Sequence, residues 1–540
     1  MDDCSGFSRS SGYQFHHRER TSGGRHFKRP VTKPFTAAER GTTTLLFGGL
    51  TLKHERLLKA CLENLGYRCE HLPTPDLDAM QIGKEYSNNG QCNPTYFTVG
   101  NLVKYLQRLQ KEGRSRQEII DNYVFLTAGS CGPCRFGMYE AEYNNALQNA
   151  GFGGFRVLLF QQTEGYDRER GEVGLRTDLD FYLSIIHSVL LGDLLNELGY
   201  QIRPYEVEPG ATDRALEQCS DILYEAIRTH RPGTGSERWA ALAESLPLLG
   251  EPIGTIRKLN RFLAAPRMVT ALQHCRDLLS RIQVDRTRVK PVVQITGEFW
   301  AQLAEGDGNF NMFRFLEREG AEVRINPVST WLLYIFWDIK AGYRERFGLK
   351  GNRNPLRYLY RMALITLGER LFLRTYARLG RALGGTVADP VPLEELKRLG
   401  HRYYHSRITG GEGHLEVAKS IHAVQHHHCH MVLSIKPFGC MPSTQSDGVM
   451  TEVVSHYPEM IFLPIETSGD GEINAHSRVQ MALGEARRRA QAEFDAALRA
   501  SGRSLEEIRA FLERHPQLNR ALYRAPEGSG MAGSAANFVT

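Results

Sequence analysis

Short apolar runs alternate with amphipathic stretches of about 10–18 residues along most of this chain, and that pattern admits few folds. Thr43-Thr44-Leu45-Leu46-Phe47 runs into Gly48-Gly49, and a helical pattern follows over 53–65 until Gly66. Tyr67-Arg68-Cys69-Glu70-His71-Leu72 alternates as a strand does up to Pro73, and a second helical stretch covers 94–111. Tyr123-Val124-Phe125-Leu126-Thr127 and Phe155-Arg156-Val157-Leu158-Leu159-Phe160 are buried-strand runs with a helix between them that ends near Ala150. Strands separated by helices cannot pair as hairpins; the crossover makes neighbouring strands parallel and lays helices on the sheet faces. The expected fold class is therefore α/β, with two or more doubly wound, Rossmann-like parallel-sheet units and helical insertions.

A second strand–loop–helix unit begins at Pro291-Val292-Val293-Gln294-Ile295-Thr296 and continues through a helix over 312–319 into a strand over 321–325. Further strands are expected at 431–436 and 460–465, and a long helix at 477–501, before a frayed final dozen residues. Residues 175–285 and 328–400 read as helical, with one extended piece at 202–207. The expected organisation is a disordered basic tail (1–40), a first α/β domain (41–175), a mainly helical segment (176–285), a second α/β unit with a helical insertion (286–420) and a C-terminal α/β segment (421–540).

Charge narrows the function. The chain carries a net +6, but its first 40 residues hold eight Lys/Arg against four acids, which leaves the remaining 500 nearly neutral. Nucleic-acid binding needs a basic surface built into the fold, so a nucleic-acid partner is not expected. The tail has too few apolar residues to order itself and lacks the apolar core of a secretory signal. No run of 18 apolar residues occurs, so no membrane span is expected. Ten cysteines in 540 residues are too sparse for a disulfide scaffold, and a cytoplasmic location is the default.

Four of those cysteines sit in turn-like segments rather than apolar stripes. They are Cys92 in Gly90-Gln91-Cys92-Asn93-Pro94, Cys131 and Cys134 in Gly129-Ser130-Cys131-Gly132-Pro133-Cys134, and Cys440 in Lys436-Pro437-Phe438-Gly439-Cys440-Met441-Pro442. In open α/β sheets ligands bind beyond the carboxyl ends of strands, where loops distant in sequence converge. Four thiolates on Gly- and Pro-flanked loops are the protein half of a 4Fe–4S site. Strand, Cys-Gly-Pro-Cys, helix is also the order of a thiol–disulfide oxidoreductase, and inert structural cysteines are a third reading. Cys61, Cys219 and Cys275 fall in helical patterns as small core residues, Cys69 lies in a strand and Cys4 in the tail. Cys429 stands in His426-His427-His428-Cys429-His430, read as a helix end approaching a strand, with metal binding the alternative.

Acidic, Gly-rich loops follow several strands: Thr296-Gly297-Glu298, Glu305-Gly306-Asp307-Gly308-Asn309, Gly410-Gly411-Glu412-Gly413-His414 and Glu466-Thr467-Ser468-Gly469-Asp470-Gly471. Each could bind phosphate at a helix start or simply be a tight turn, and the turn is the simpler reading. No Gly-x-x-x-x-Gly-Lys-Ser/Thr occurs, so nucleotide hydrolysis by this chain is not expected.

The string Phe125-Leu126-Thr127-Ala128-Gly129-Ser130-Cys131-Gly132-Pro133-Cys134-Arg135-Phe136-Gly137-Met138-Tyr139-Glu140-Ala141-Glu142-Tyr143 is highly specific. Cys92-Asn93-Pro94-Thr95-Tyr96-Phe97, Ile295-Thr296-Gly297-Glu298-Phe299-Trp300, Lys436-Pro437-Phe438-Gly439-Cys440-Met441-Pro442-Ser443 and Leu463-Pro464-Ile465-Glu466-Thr467 accompany it. Together they resemble the 2-hydroxyacyl-CoA dehydratase / benzoyl-CoA reductase D-component-like family, in its acyl-CoA dehydratase activase-related branch, over residues 43–485. The resemblance implies a thiolate-bound iron–sulfur cluster, a double-cubane cluster in some relatives, with Cys92, Cys131, Cys134 and Cys440 as ligands. It implies low-potential electron transfer to an acyl-CoA-like substrate and a homodimeric assembly. The ATP-binding activase domains that often precede this module are absent, so the activase would act in trans. Glu298 and Glu466 are the catalytic candidates for handling protons or facing substrate. A non-catalytic electron relay or regulatory scaffold is the alternative within the same chemistry.

Overall fold

The computed structural model describes residues 33–129, 134–161, 174, 175, 178–230, 265–349, 353–524 and 530–540. Cys131, Cys4 and the basic tail as far as residue 32 lie outside them. Ordered chain begins ahead of residue 40: Phe35 is buried against the first sheet, and Thr36 and Glu39 close a capping box around the short turn Ala37–Glu39.

Eight strands form two sheets of four. The first holds β1 (Thr44–Phe47), β2 (Arg68–His71), β3 (Tyr123–Gly129) and β4 (Arg156–Gln161) in the order β2-β1-β3-β4. The second holds β5 (Val292–Gly297), β6 (Glu322–Ile325), β7 (Met431–Pro437) and β8 (Phe462–Thr467) in the order β6-β5-β7-β8. Every pairing is parallel. The two sheets thus share one topology, second-first-third-fourth, with β3 and β7 in equivalent places. Strands from the 286–420 and 421–540 segments lie in the same sheet.

Both faces of both sheets are covered, as the uninterrupted burial along β1 and β7 requires. In the first unit the helices Asn93–Lys111 and Tyr139–Asn149 pack Leu102, Leu106 and Tyr143 against Phe125, and Leu62 and Phe181 pack on the other face. In the second unit Met312, Leu316, Val479 and Leu483 cover one face. The helices Gly413–Gln425 and Met441–His456 supply Val417, Ile421, Met450 and Val453 to the other. A third, all-helical core joins the units, where Leu57 meets Leu190, Leu194, Leu216, Cys275, Trp337 and Leu415.

The helix Leu179–Ile202 lies in that core. It belongs to the one stretch among the described residues, Leu179–Tyr205, that is apolar and long enough to cross a membrane, and 61% of its most apolar window is buried inside the protein. Its apolarity is accounted for by Leu190, Leu191, Leu194 and Leu195, all essentially inaccessible. Asp193 on the same helix ties the units together. Its carboxylate accepts from Val328 N–H and Ser329 N–H, both at 2.8 Å, and lies 3.2 Å from His54 Nε2. The buried charge is thereby matched at a helix start, where free N–H groups and the dipole favour it.

Two local expectations are corrected. The piece over 202–207 is not a strand: the helix runs to Ile202, a 3₁₀ turn occupies Arg203–Tyr205, and only Glu206 bridges to Val284. The C-terminus is not frayed, because the helix Ser534–Val539 buries Ala535, Ala536 and Val539 against Phe494 and Ala497.

Candidate functional site

The site is built from helix starts. Cys92 is the residue preceding the helix Asn93–Lys111, and Pro94 in the first turn needs no N–H partner there. Its backbone is extended, and its sulfur lies 3.2 Å from both Thr95 Oγ1 and Tyr139 Oη. Cys440 occupies the same place before the helix Met441–His456, again with Pro in the first turn. Cys134 precedes the 3₁₀ turn Arg135–Met138, and Phe136 N–H points at its sulfur at 3.4 Å.

Backbone bonds draw these loops together from both sheets. Asn93 N–H donates to Phe438 O at 3.1 Å, which ties the Cys92 loop to the Cys440 loop. Gly439 packs on Cys92 there, with a left-handed φ of 76° that suits glycine. Cys134 N–H donates to Gly410 O at 3.0 Å. Gly411 fills the gap between Cys134 and Pro442, and a Cβ at that residue would come within 2.4 Å of Pro442 Cγ. Arg135 Nη1 donates to Gly90 O, completing the circuit from the Cys134 loop back to the Cys92 loop. Of the four expected cysteines the structure brings Cys92, Cys134 and Cys440 together, and Cys131 lies outside the described residues.

Two carboxylates share the place. Glu298 precedes the helix Phe299–Leu303; its Oε2 accepts from Ala301 N–H at 2.9 Å and its own N–H donates to Ile435 O at 3.0 Å. Glu412 precedes the helix Gly413–Gln425. Burial holds both carboxyls above the ordinary range, and for Glu412 the charge of Glu298 adds to it. Burial also pushes the Cys440 thiol up to about 12, reinforced by the charges of Glu298 and Glu412 and opposed by hydrogen bonds from Ser443. The Cys134 thiol is raised by burial first, then by Glu412, Glu298 and Cys440. Burial and the neighbouring Cys92 keep the Tyr139 phenol protonated. Behind Glu412, the Lys419 ammonium is brought down to about 8 by burial. Glu416 there accepts from Ser434 and Ser446 hydroxyls, each at 2.6 Å, and pairs with Lys436 at 3.0 Å.

Glu466 does not join them. It is exposed on β8, between the buried Ile465 and Thr467, and so projects from the opposite face of the strand. Glu412 and Tyr139, by contrast, belong to the site although the sequence singles neither out as a site residue. Glu412 had a signal, standing in a Gly-rich loop that opens a helix; Tyr139 had none beyond its place after the Cys-Gly-Pro-Cys loop.

The remaining acidic loops act as turns and ties. Glu305 accepts from Leu52 N–H at 2.7 Å and Asp307 from Leu77 N–H at 3.0 Å, linking the two units. After β1, the N–H groups of Gly49 and Leu50 donate to Glu55 Oε1 at 2.8 and 3.1 Å, so this loop is filled by a carboxylate of the chain itself. Beside it a small pocket of about 40 Å³, partly open to solvent, is lined by Glu55, Phe125, Tyr143, Trp300 and Glu305 among others. Its lining includes Tyr143, one helical turn beyond Tyr139, and Trp300, two residues beyond Glu298. Cys61, Cys219 and Cys275 are buried in the helical core, and Cys69 is buried in β2. All the described cysteines are free thiols.

No family model matches the chain, and no curated protein matches it either.

Proposed function

We propose that this chain is an iron–sulfur protein of the 2-hydroxyacyl-CoA dehydratase type that passes low-potential electrons to an acyl-CoA-like substrate in the cytoplasm. One observation supports this most: Cys92 and Cys134 of the first unit and Cys440 of the second, each the residue before a helical turn, are drawn to one place by backbone bonds between their loops. The donor set fits an iron–sulfur cluster. Thiolates are its ordinary ligands, Phe136 N–H already points at the Cys134 sulfur, and the positive dipole ends of the Asn93 and Met441 helices favour the negative charge a thiolate-bound cluster carries.

Such a cluster, when bound, supplies one-electron transfer at low potential. The chain's own residues do the rest. Tyr139, held as the neutral phenol 3.2 Å from Cys92 sulfur, is placed to donate to that sulfur as a thiolate, a bond of the kind that tunes a cluster's potential. Glu298 and Glu412, whose carboxyls burial raises to about 7 and about 8, exchange protons near neutrality and are placed to give one to a group reduced beside them. Because no phosphate-binding Lys loop occurs, an ATP-dependent activase in trans supplies the electron.

The test is anaerobic reconstitution with iron and sulfide. The expected result is a brown protein with broad absorption near about 400 nm and about four irons per chain. Protein that stays colourless rules the reading out. Turnover of a panel of acyl-CoA thioesters with a strong reductant then separates an enzyme from an electron relay, and a reversible Cys131–Cys134 disulfide in metal-free protein would instead favour thiol–disulfide exchange.

A further inference from the structure

The run His426-His427-His428 does more than close a helix. His422 lies in the last turn of the helix Gly413–Gln425 and His426 follows its end, four residues on, so the two rings share one face with centroids 4.5 Å apart, tilted at 41°. The helix Leu393–Gly400 presents Glu395 to that face. Its Oε1 lies 2.9 Å from His426 Nε2 and 3.8 Å from His422 Nε2, so one ligand atom from each of the three residues converges within 4.8 Å. The His428 ring stands 5.1 Å from His422 and 5.6 Å from His426. His430 is otherwise engaged, accepting from Val292 N–H at 2.9 Å and lying 3.1 Å from Glu493.

We propose that His422, His426 and Glu395 bind one divalent transition ion of the zinc class. Imidazole nitrogens with a single carboxylate suit Zn²⁺, Co²⁺ or Ni²⁺, whereas Mg²⁺ and Ca²⁺ take oxygen sets. Rotation of the imidazoles about their side-chain bonds brings three donors onto one ion, and the exposed Arg398, 3.9 Å from Glu395, swings away to solvent. The ion clips two helices together at the end of the Gly413 helix opposite Glu412. Thirteen helical residues put it about 20 Å from the cysteine site. The site is therefore independent of the cluster proposed above, and its ligands come from helices that close one face of the second sheet.

The test uses the full chain free of any affinity tag. Calorimetric titration with Zn²⁺ is expected to show a site lost in His426→Ala and weakened at least about tenfold in Glu395→Gln, whereas His427→Ala leaves it unchanged. Co²⁺ in that site is expected to give weak visible bands without the intense thiolate charge-transfer band that cysteine ligation would add. Zn²⁺ should raise the melting temperature of the wild type and not that of His426→Ala, whose exposed side chain can be removed without opening the core. Equal weakening by His427→Ala would mean adventitious chelation by the histidine run. That result, or Zn²⁺ binding unaltered in the His422→Ala/His426→Ala double variant, overturns the proposal.

Discussion

Cys134 is a thiol in the wrong surroundings to ionise alone: it is half-buried, its desolvation raises it, and the charges of Glu412 and Glu298 oppose a thiolate there. Iron coordination reverses that order, because a metal deprotonates the thiols that bind it. Cys134→Ser and Cys440→Ser are each expected to cut bound iron by more than half, measured after anaerobic reconstitution. Cys275→Ser, in the helical core, should leave it unchanged. Glu55 makes a separate, pH-dependent prediction. Burial raises its carboxyl to about 8 despite bonds from Leu50 and Gly49. The unfolded chain releases that proton near about pH 4.3, so between there and pH 8 the native state holds more protons and stability falls as pH rises. Glu55→Gln should flatten that decline by up to about 1.4 kcal/mol per pH unit, read from urea melts across the range. The cysteines were legible because Gly and Pro around them break every apolar pattern. Tyr139 and Glu412 were not, since only the packing of separate loops makes them neighbours of Cys92 and Cys134.

Among the elements, capping carries the site. Cys92, Cys134, Cys440, Glu298 and Glu412 each stand at the residue before a helical turn, where first-turn N–H groups need partners from outside the helix. The loop glycines set how closely those turns approach. Gly411 has φ 143° and lies against Pro442, so Gly411→Ala forces the Cys134 and Met441 segments apart. The expected result is a loss of about 1–3 kcal/mol in denaturant unfolding together with reduced iron uptake. Gly484, whose Cβ would meet open space, is the control, and its substitution by Ala should preserve both stability and iron. Strands were legible at this scale because runs such as Val292-Val293-Gln294-Ile295 are buried on both faces and bounded by Gly or Pro. The 202–207 piece misled because apolar Ile202 and Tyr205 bury as readily in a helix end as in a strand. The C-terminal helix escaped notice because Ala535, Ala536 and Val539 form too short a stripe to announce a buried face.

At the scale of the molecule, two parallel sheets of identical strand order are joined through the loops beyond their carboxyl ends; Cys134 follows β3 and Cys440 the equivalent strand β7, whereas Cys92 lies between two helices of the first unit. An α/β class was legible from the alternation of runs. The sharing of one sheet by strands on either side of residue 420 was not, because the helices Val328–Arg346, Pro355–Ala382 and Leu393–Gly400 stand between β6 and β7. Sequence distance of that size hides which strands are neighbours. With no phosphate-binding Lys loop, the chain alone is expected to release no phosphate from ATP above a blank in a sensitive assay. The central claim is that thiols from both sheets share one inorganic core, and paired iron and acid-labile sulfide analysis of anaerobically reconstituted wild type and a Cys92→Ser/Cys440→Ser double variant tests it most directly. About four irons and four sulfides per chain in the wild type, with near loss in the double variant, is the predicted result. Equal metal and sulfide in the two proteins, or none in either, would contradict it.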